Sequence, residues 1–163
     1  MIHAVDQYVG QTSDNRYVCT KSIEVDGVPT GALSDKQMLD IITANIDGTG
    51  LNAVYNLFMT SAQLATSGAC AYHTSAQISV SGQQSQVIYS ANATCGAEDD
   101  MNHEMFEAIS DPGADQSGWI KSSTGDEIAD LCETTEGPNP SMPGYTMQPV
   151  WSNSQNGCAY AGP

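Results

Sequence analysis

In the stretch His103-Glu104-Met105-Phe106-Glu107-Ala108-Ile109-Ser110-Asp111-Pro112, the apolar Met105, Ala108 and Ile109 recur at helical spacing and are joined upstream by Met101. Glu98, Asp99 and Asp100 stand where a helix N-terminus welcomes negative charge, and Pro112 forces the chain out near Asp111. The spacing predicts a helix over residues 100–110. On it, His103 and Glu107 lie one turn apart and project from the same face. An imidazole and a carboxylate so placed can share a divalent cation, and Glu104, one position round, can reach a neighbouring water as a general base. The bland alternative is a solvated acidic helix with a surface histidine.

The flanking segments determine what that helix packs on. Upstream, Ser34-Asp35-Lys36-Gln37 has the form of a capping box, and Met38, Leu39, Ile42 and Ile46 recur at helical spacing up to Gly48. Residues 52–59 form a short apolar run suited to a buried strand. Residues 78–80 and 86–89 flank Ser81-Gly82-Gln83-Gln84-Ser85, which predicts either a hairpin or two separate strands. Residues 2–9 and 17–28 read as two N-terminal strands. From Gly113 onward the chain is rich in Gly, Pro, Ser and Asn, with one short helical candidate at 126–132, and needs disulfide, metal or packing to order it. The expected fold is α+β: a single domain over 1–163 with a small mixed sheet, two main helices and a loop-rich, disulfide-stapled C-terminal third. The order helix, strand, edge strand, strand, HE-helix is what a zincin half-domain requires.

Charge narrows the function classes. The chain carries 4 Lys+Arg against 19 Asp+Glu, a formal net charge of −15. Only Arg16, Lys21, Lys36 and Lys121 can contact phosphates, so nucleic acid and anionic lipid are repelled at neutral pH. No apolar run is long enough for a membrane-spanning helix, so no membrane insertion is expected. Of the 19 carboxylates, the set Glu98, Asp99, Asp100, Glu104, Glu107, Asp111, Asp115 and Asp126 crowds around the HE stretch. The 5 cysteines include no CxxC pair, which disfavours a zinc ribbon or a thioredoxin-like site and suits an oxidising, extracellular setting. Pairing Cys70 with Cys95 and Cys132 with Cys158 leaves Cys19 free or linked to another chain. Met1 leads straight into Ile2-His3-Ala4-Val5 without a signal peptide, which reads as a mature or truncated form. Asn92-Ala93-Thr94 is a glycosylation sequon.

The helix has the logic of the HExxH zinc motif with Glu in place of the second His. A carboxylate-rich ligand set leans towards a harder metal such as Ca²⁺. Two residues could supply a third ligand: Asp111, two turns beyond His103, or Asp130, which only folding can bring in. His73 can line the same cleft, or serve as a structural hydrogen-bonding residue. Trp119, with Trp151, Tyr145 and Tyr160, suits either a sugar-stacking surface or core packing. No GxSxG elbow or GxGxxG loop is present.

The blocks Asn52–Met59, CAYH, VIYSANATC, HEMFEAISDP, GWI, GDEIADLC and MQPVWSNSQNGC, in this order across residues 37–158, resemble secreted microbial relatives of the plant phosphate-induced/EXORDIUM-like family. The resemblance implies an extracellular, disulfide-containing, zincin-like domain. It implies a metal, Zn²⁺ with Ca²⁺ as the alternative, held by His103 and Glu107, with Glu104 catalytic and Asp111 or Asp130 completing the site. Two functions are then expected to compete. One is a secreted metallopeptidase-like hydrolase acting on a peptide or an extracellular-matrix substrate. The other is a non-catalytic cell-surface, matrix or filament-forming module that self-associates through Cys19.

Overall fold

The computed structural model describes residues 18–64, 69–93, 99–135, 137–138 and 146–160, together with Tyr8. The first helix, α1, spans Asp35–Ala44. Its capping box is formed as expected: the Gln37 amide donates to Ser34 Oγ (3.4 Å), and the Ser34 amide donates to Gln37 Oε1 (2.9 Å). It stops earlier than Gly48, because Asn45 caps it, its side-chain amide donating to the Ile41 carbonyl at 2.9 Å. The amide of Gly48 is instead held by the Tyr55 hydroxyl at 2.9 Å.

Three strands follow: β1 (Val54–Met59), β2 (Ala71–Val80) and β3 (Gln83–Ala93), in the order β1-β3-β2. β1 runs parallel to β3, and β2 pairs antiparallel with it as an edge strand. The β2–β3 hairpin is longer than the apolar runs implied and turns on two residues only, Ser81 (φ 52) and Gly82 (φ 82). Positive φ at both central positions is the turn whose twist matches the flanking strands. The second long helix, α2, spans Asp99–Ser110.

The two faces of the sheet differ in chemistry. Tyr72, Ala76 and Ile78 of β2, Val87, Tyr89 and Ala91 of β3 and Leu57 of β1 pack on Met38, Leu39 and Ile42 of α1. The alternating residues face α2 and are mostly polar: Asn56, His73, Ser75, Ser90 and Asn92. Ser90 Oγ donates to Asn56 Oδ1 (2.8 Å), and Asn92 Nδ2 donates to Ser90 Oγ (2.8 Å). The other side of α2 buries Phe106 and Ile109 against Ile128, Ala129, Met147 and Val150, with Tyr8, Trp119 and Tyr160 packed around them.

The last third is loop-rich, as expected. It contains a 3-10 turn, Asp130–Cys132, and the short pairs β4 (Gly137–Pro138) with β5 (Thr146–Met147) and β6 (Val150–Ser152) with β7 (Gly157–Ala159). Cys132 is bonded to Cys158 across a sequence separation of 26, a closure worth about 3 kcal/mol in the chain-entropy picture. Cys70 is also disulfide-bonded; its expected partner, Cys95, lies outside the described residues. Cys19 is free and exposed. No helix among the described residues is long and apolar enough to cross a membrane.

Three expectations change. The segment 18–28 forms no strand and is almost wholly exposed, so its apolar residues Val18, Ile23 and Val25 have no sheet to join. The strand expected over 2–9 falls outside the described residues except for Tyr8, whose backbone is helical. Asn92 of the sequon is only 4% exposed in the central strand, its amide nitrogen donating to Ser90, so a glycan has no access to it.

Candidate metal centre

α2 lies on the polar face of the sheet, so its acidic residues meet polar partners rather than water. Glu104 and Glu107 are 8% and 3% exposed, which excludes a solvated acidic helix. His73 projects from β2 into this layer. Its Nδ1 lies 3.1 Å from Glu104 Oε2 and 3.8 Å from Glu107 Oε2; its Nε2 lies 3.0 Å from the Asp111 carbonyl and 3.5 Å from Glu127 Oε1. Both nitrogens therefore face oxygen acceptors, an arrangement a neutral imidazole, with one N–H, cannot satisfy alone.

His103 is oriented from the opposite side. Gln148 Nε2 donates to the Ala129 carbonyl at 2.6 Å, which fixes its amide and leaves Oε1 to accept from His103 Nδ1 at 3.1 Å. The remaining nitrogen, Nε2, points at Glu107 Oε2 (3.1 Å) and Asp130 Oδ1 (3.5 Å). Glu107 is itself anchored, because its Oε1 accepts the amides of Ala129 (3.2 Å) and Asp130 (3.1 Å). Each carboxylate oxygen of Glu107 thus has its own set of partners.

Two groups of three donors result: His103, Glu107 and Asp130, and His73, Glu107 and Glu127. Within each, the ligand atoms lie within 4.8 Å of one another, so either group could hold a metal ion. Among the described residues, the side chains forming ion pairs with these carboxylates are the two imidazoles.

The electrostatics follow from that crowding. Burial opposes the charged form of His103, but hydrogen bonds to Asp130 and Glu107, with the charges of Glu107 and Glu104, outweigh it and push its pKa up to about 11. His73 is raised in the same way: burial works against it, and Glu104, Glu127 and Glu107 overcome that. Burial, followed by repulsion from Glu107, pushes Glu127 up to about 8. The His103 hydrogen bond is the main reason Asp130 is lowered. In the metal-free chain the imidazoles carry protons in the positions a cation would take.

The expected site residues therefore divide. His103, Glu104, Glu107, Asp130 and His73 come together. Asp111 does not join a donor group: its carboxylate accepts the amides of Gln116 and Gly118, each at 2.9 Å, and holds the loop after α2. Trp119 packs beside Tyr8, ring centroids 5.0 Å apart, against the hydrophobic cluster around Phe106. Glu127 and Gln148 were not foreseen as site residues. Both lie inside quoted motif blocks, GDEIADLC and MQPVWSNSQNGC, but no local spacing ties either to the HE helix.

Against known protein families, curated proteins and solved structures the chain shows no match.

Proposed function

We propose that the protein is a secreted, metal-dependent hydrolase, most simply a peptidase-like one, with its cation held by His103, Glu107 and Asp130. One observation carries the reading: Gln148 fixes the His103 tautomer, and the free nitrogen is aimed at two carboxylates from different elements. The donor set fits Zn²⁺, which takes three protein ligands of this kind in catalytic sites. Ca²⁺ fits less well, since it asks for 6–8 oxygens and this set includes an imidazole. A divalent cation there supplies Lewis acidity, polarising a carbonyl and acidifying water.

The chain's own residues account for the remaining steps. Glu104 lies one position round the helix from His103 and is the general base, taking the proton of the attacking water and returning it to the leaving amine. His73 Nδ1, 3.1 Å from Glu104 Oε2, holds that carboxylate in place. Supporting the zincin-like reading of the fold is the order α1, β1, β2, β3, α2, with β2 as the antiparallel edge. The Cys132–Cys158 bond suits an extracellular setting.

The test is metal analysis of the purified chain followed by a peptide-cleavage assay. His103→Ala is expected to lose the ion held at His103, Glu107 and Asp130. Glu104→Gln is expected to keep it and lose roughly 10²–10⁴-fold in kcat, the usual scale of general-base catalysis. A wild-type chain that takes up no divalent cation near neutral pH sinks the proposal, and undiminished cleavage by Glu104→Gln removes that residue from the mechanism.

A further inference from the structure

We infer that the centre holds two divalent cations, the second bound by His73, Glu107 and Glu127, with Glu107 shared between the two sites. This extends the metal-centre reading and needs it to hold at Glu107.

Four observations support it. First, His73, Glu107 and Glu127 come from β2, α2 and the loop before the Asp130–Cys132 turn, and their donor atoms lie within 4.8 Å of one another. Second, Glu127 Oε1 is buried and makes no hydrogen bond, although it sits 3.5 Å from His73 Nε2. A buried carboxylate oxygen without a donor is costly, and a cation is the partner that satisfies it. Third, the His73 ring is bounded by the oxygens of Glu104 and Glu107 on one edge and of Asp111 and Glu127 on the other, so a neutral imidazole with its single N–H leaves one edge facing oxygen alone, the place a cation would fill.

The fourth is the charge balance. Glu104, Glu107, Glu127 and Asp130 are four carboxylates whose ion-pair partners, among the described residues, are two imidazoles. Once both imidazoles act as neutral ligands, a single dication leaves two negative charges in a largely buried site, whereas a pair of dications balances all four. Asp111 stays outside this count because two backbone amides already hold it. Glu107 is placed to be the bridge, since its Oε2 faces His103 and His73 while Oε1 is anchored by the amides of Ala129 and Asp130. Mixed imidazole and carboxylate donors select first-row dications such as Zn²⁺ or Mn²⁺, and paired ions in such sites stand about 3.5–4 Å apart.

The experiment uses the intact chain, stripped with a chelator and reloaded with Zn²⁺ or Mn²⁺. Metal analysis after dialysis is expected to give two ions per chain in the wild type, and one in His103→Ala and in Glu127→Gln. Electron paramagnetic resonance of the wild-type chain with two equivalents of Mn²⁺ is expected to show an exchange-coupled pair, a readout independent of any variant's folding. One ion per chain, lost in His103→Ala and kept in Glu127→Gln, overturns the second site and leaves the first standing. Two ions without exchange coupling overturn the sharing of Glu107. No bound ion overturns both readings.

Discussion

Gln148 orients His103 from the side away from the carboxylates that its other nitrogen faces. It is buried and uses both ends of its amide, one on the Ala129 carbonyl and one on His103 Nδ1. Leucine at this position conserves bulk and removes both bonds. His103 is then free to take either tautomer or to turn, while the Ala129 carbonyl keeps the Cys132 amide as its donor at 2.8 Å, so the loss in stability is the modest one of a single hydrogen bond, about 0.5–1.5 kcal/mol. Gln148→Leu is expected to weaken divalent-cation binding roughly 10–100-fold, the scale usual for loss of a ligand's orienting partner. Competition against a chromophoric chelator measures it, with a thermal melt to show that the variant is folded. Affinity equal to the wild type's would mean that packing alone orients His103.

At the level of elements, the exit of α2 decides whether the site keeps its shape. Pro112 ends the helix, and the chain then folds back so that the Trp119 amide donates to the Ser110 carbonyl at 3.1 Å. Gly118 sits inside that closure: a Cβ there would lie 2.2 Å from the Ser110 oxygen and 2.5 Å from the Asp111 Cα. Both obstacles are backbone and cannot swing away. Gly118→Ala is expected to cost about 2–3 kcal/mol in denaturant unfolding, and any shift of the Asp111 carbonyl is felt at His73. Unchanged stability would show that the loop has room to move.

The same elements show what the sequence could and could not reveal. The α1 cap, the helix through His103 and its exit at Pro112 are local signals, so they could be read from neighbouring residues. The length of the β2–β3 hairpin was hidden because His73, Ser75, Ser90 and Asn92 look solvent-facing, whereas they form the buried polar face under α2. The burial of Glu104 and Glu107 was hidden for the same reason. Glu127 and Gln148 enter the site through long-range folding and leave no spacing to detect. Asp111, expected as a possible third ligand, instead holds the loop after α2 through the amides of Gln116 and Gly118.

For the whole molecule, the acidity implied by a formal net charge of −15 becomes a dependence of stability on protons and, under the proposed function, on metal. In the metal-free chain, Glu127 has a folded pKa of about 8 against an ordinary value of 4.5. Between those values the folded chain binds a proton that the unfolded chain has lost, so stability falls as pH rises. His103 acts in the same sense, its contribution full below 6.5 and lost as pH climbs towards about 11, and the raised His73 adds to it. Asp130 acts the other way: its pKa is lowered, so its contribution is present above 3.8 and lost only as pH falls through the folded value. The thermal midpoint of the metal-free chain is therefore expected to fall steadily from about pH 5 to pH 9, with a shallower slope in Glu127→Gln. Bound cation stabilises the folded state by about 2.7 kcal/mol at a free concentration a hundredfold above Kd. Because it displaces protons from the imidazoles and from Glu127, its stabilisation should grow with pH over the same window. Melting curves across that range, with chelator and with Zn²⁺, test both slopes together. A metal-free midpoint that rises with pH would mean that these groups do not share the buried cluster, whereas a gap between the two curves that widens with pH follows from one set of residues binding either protons or metal.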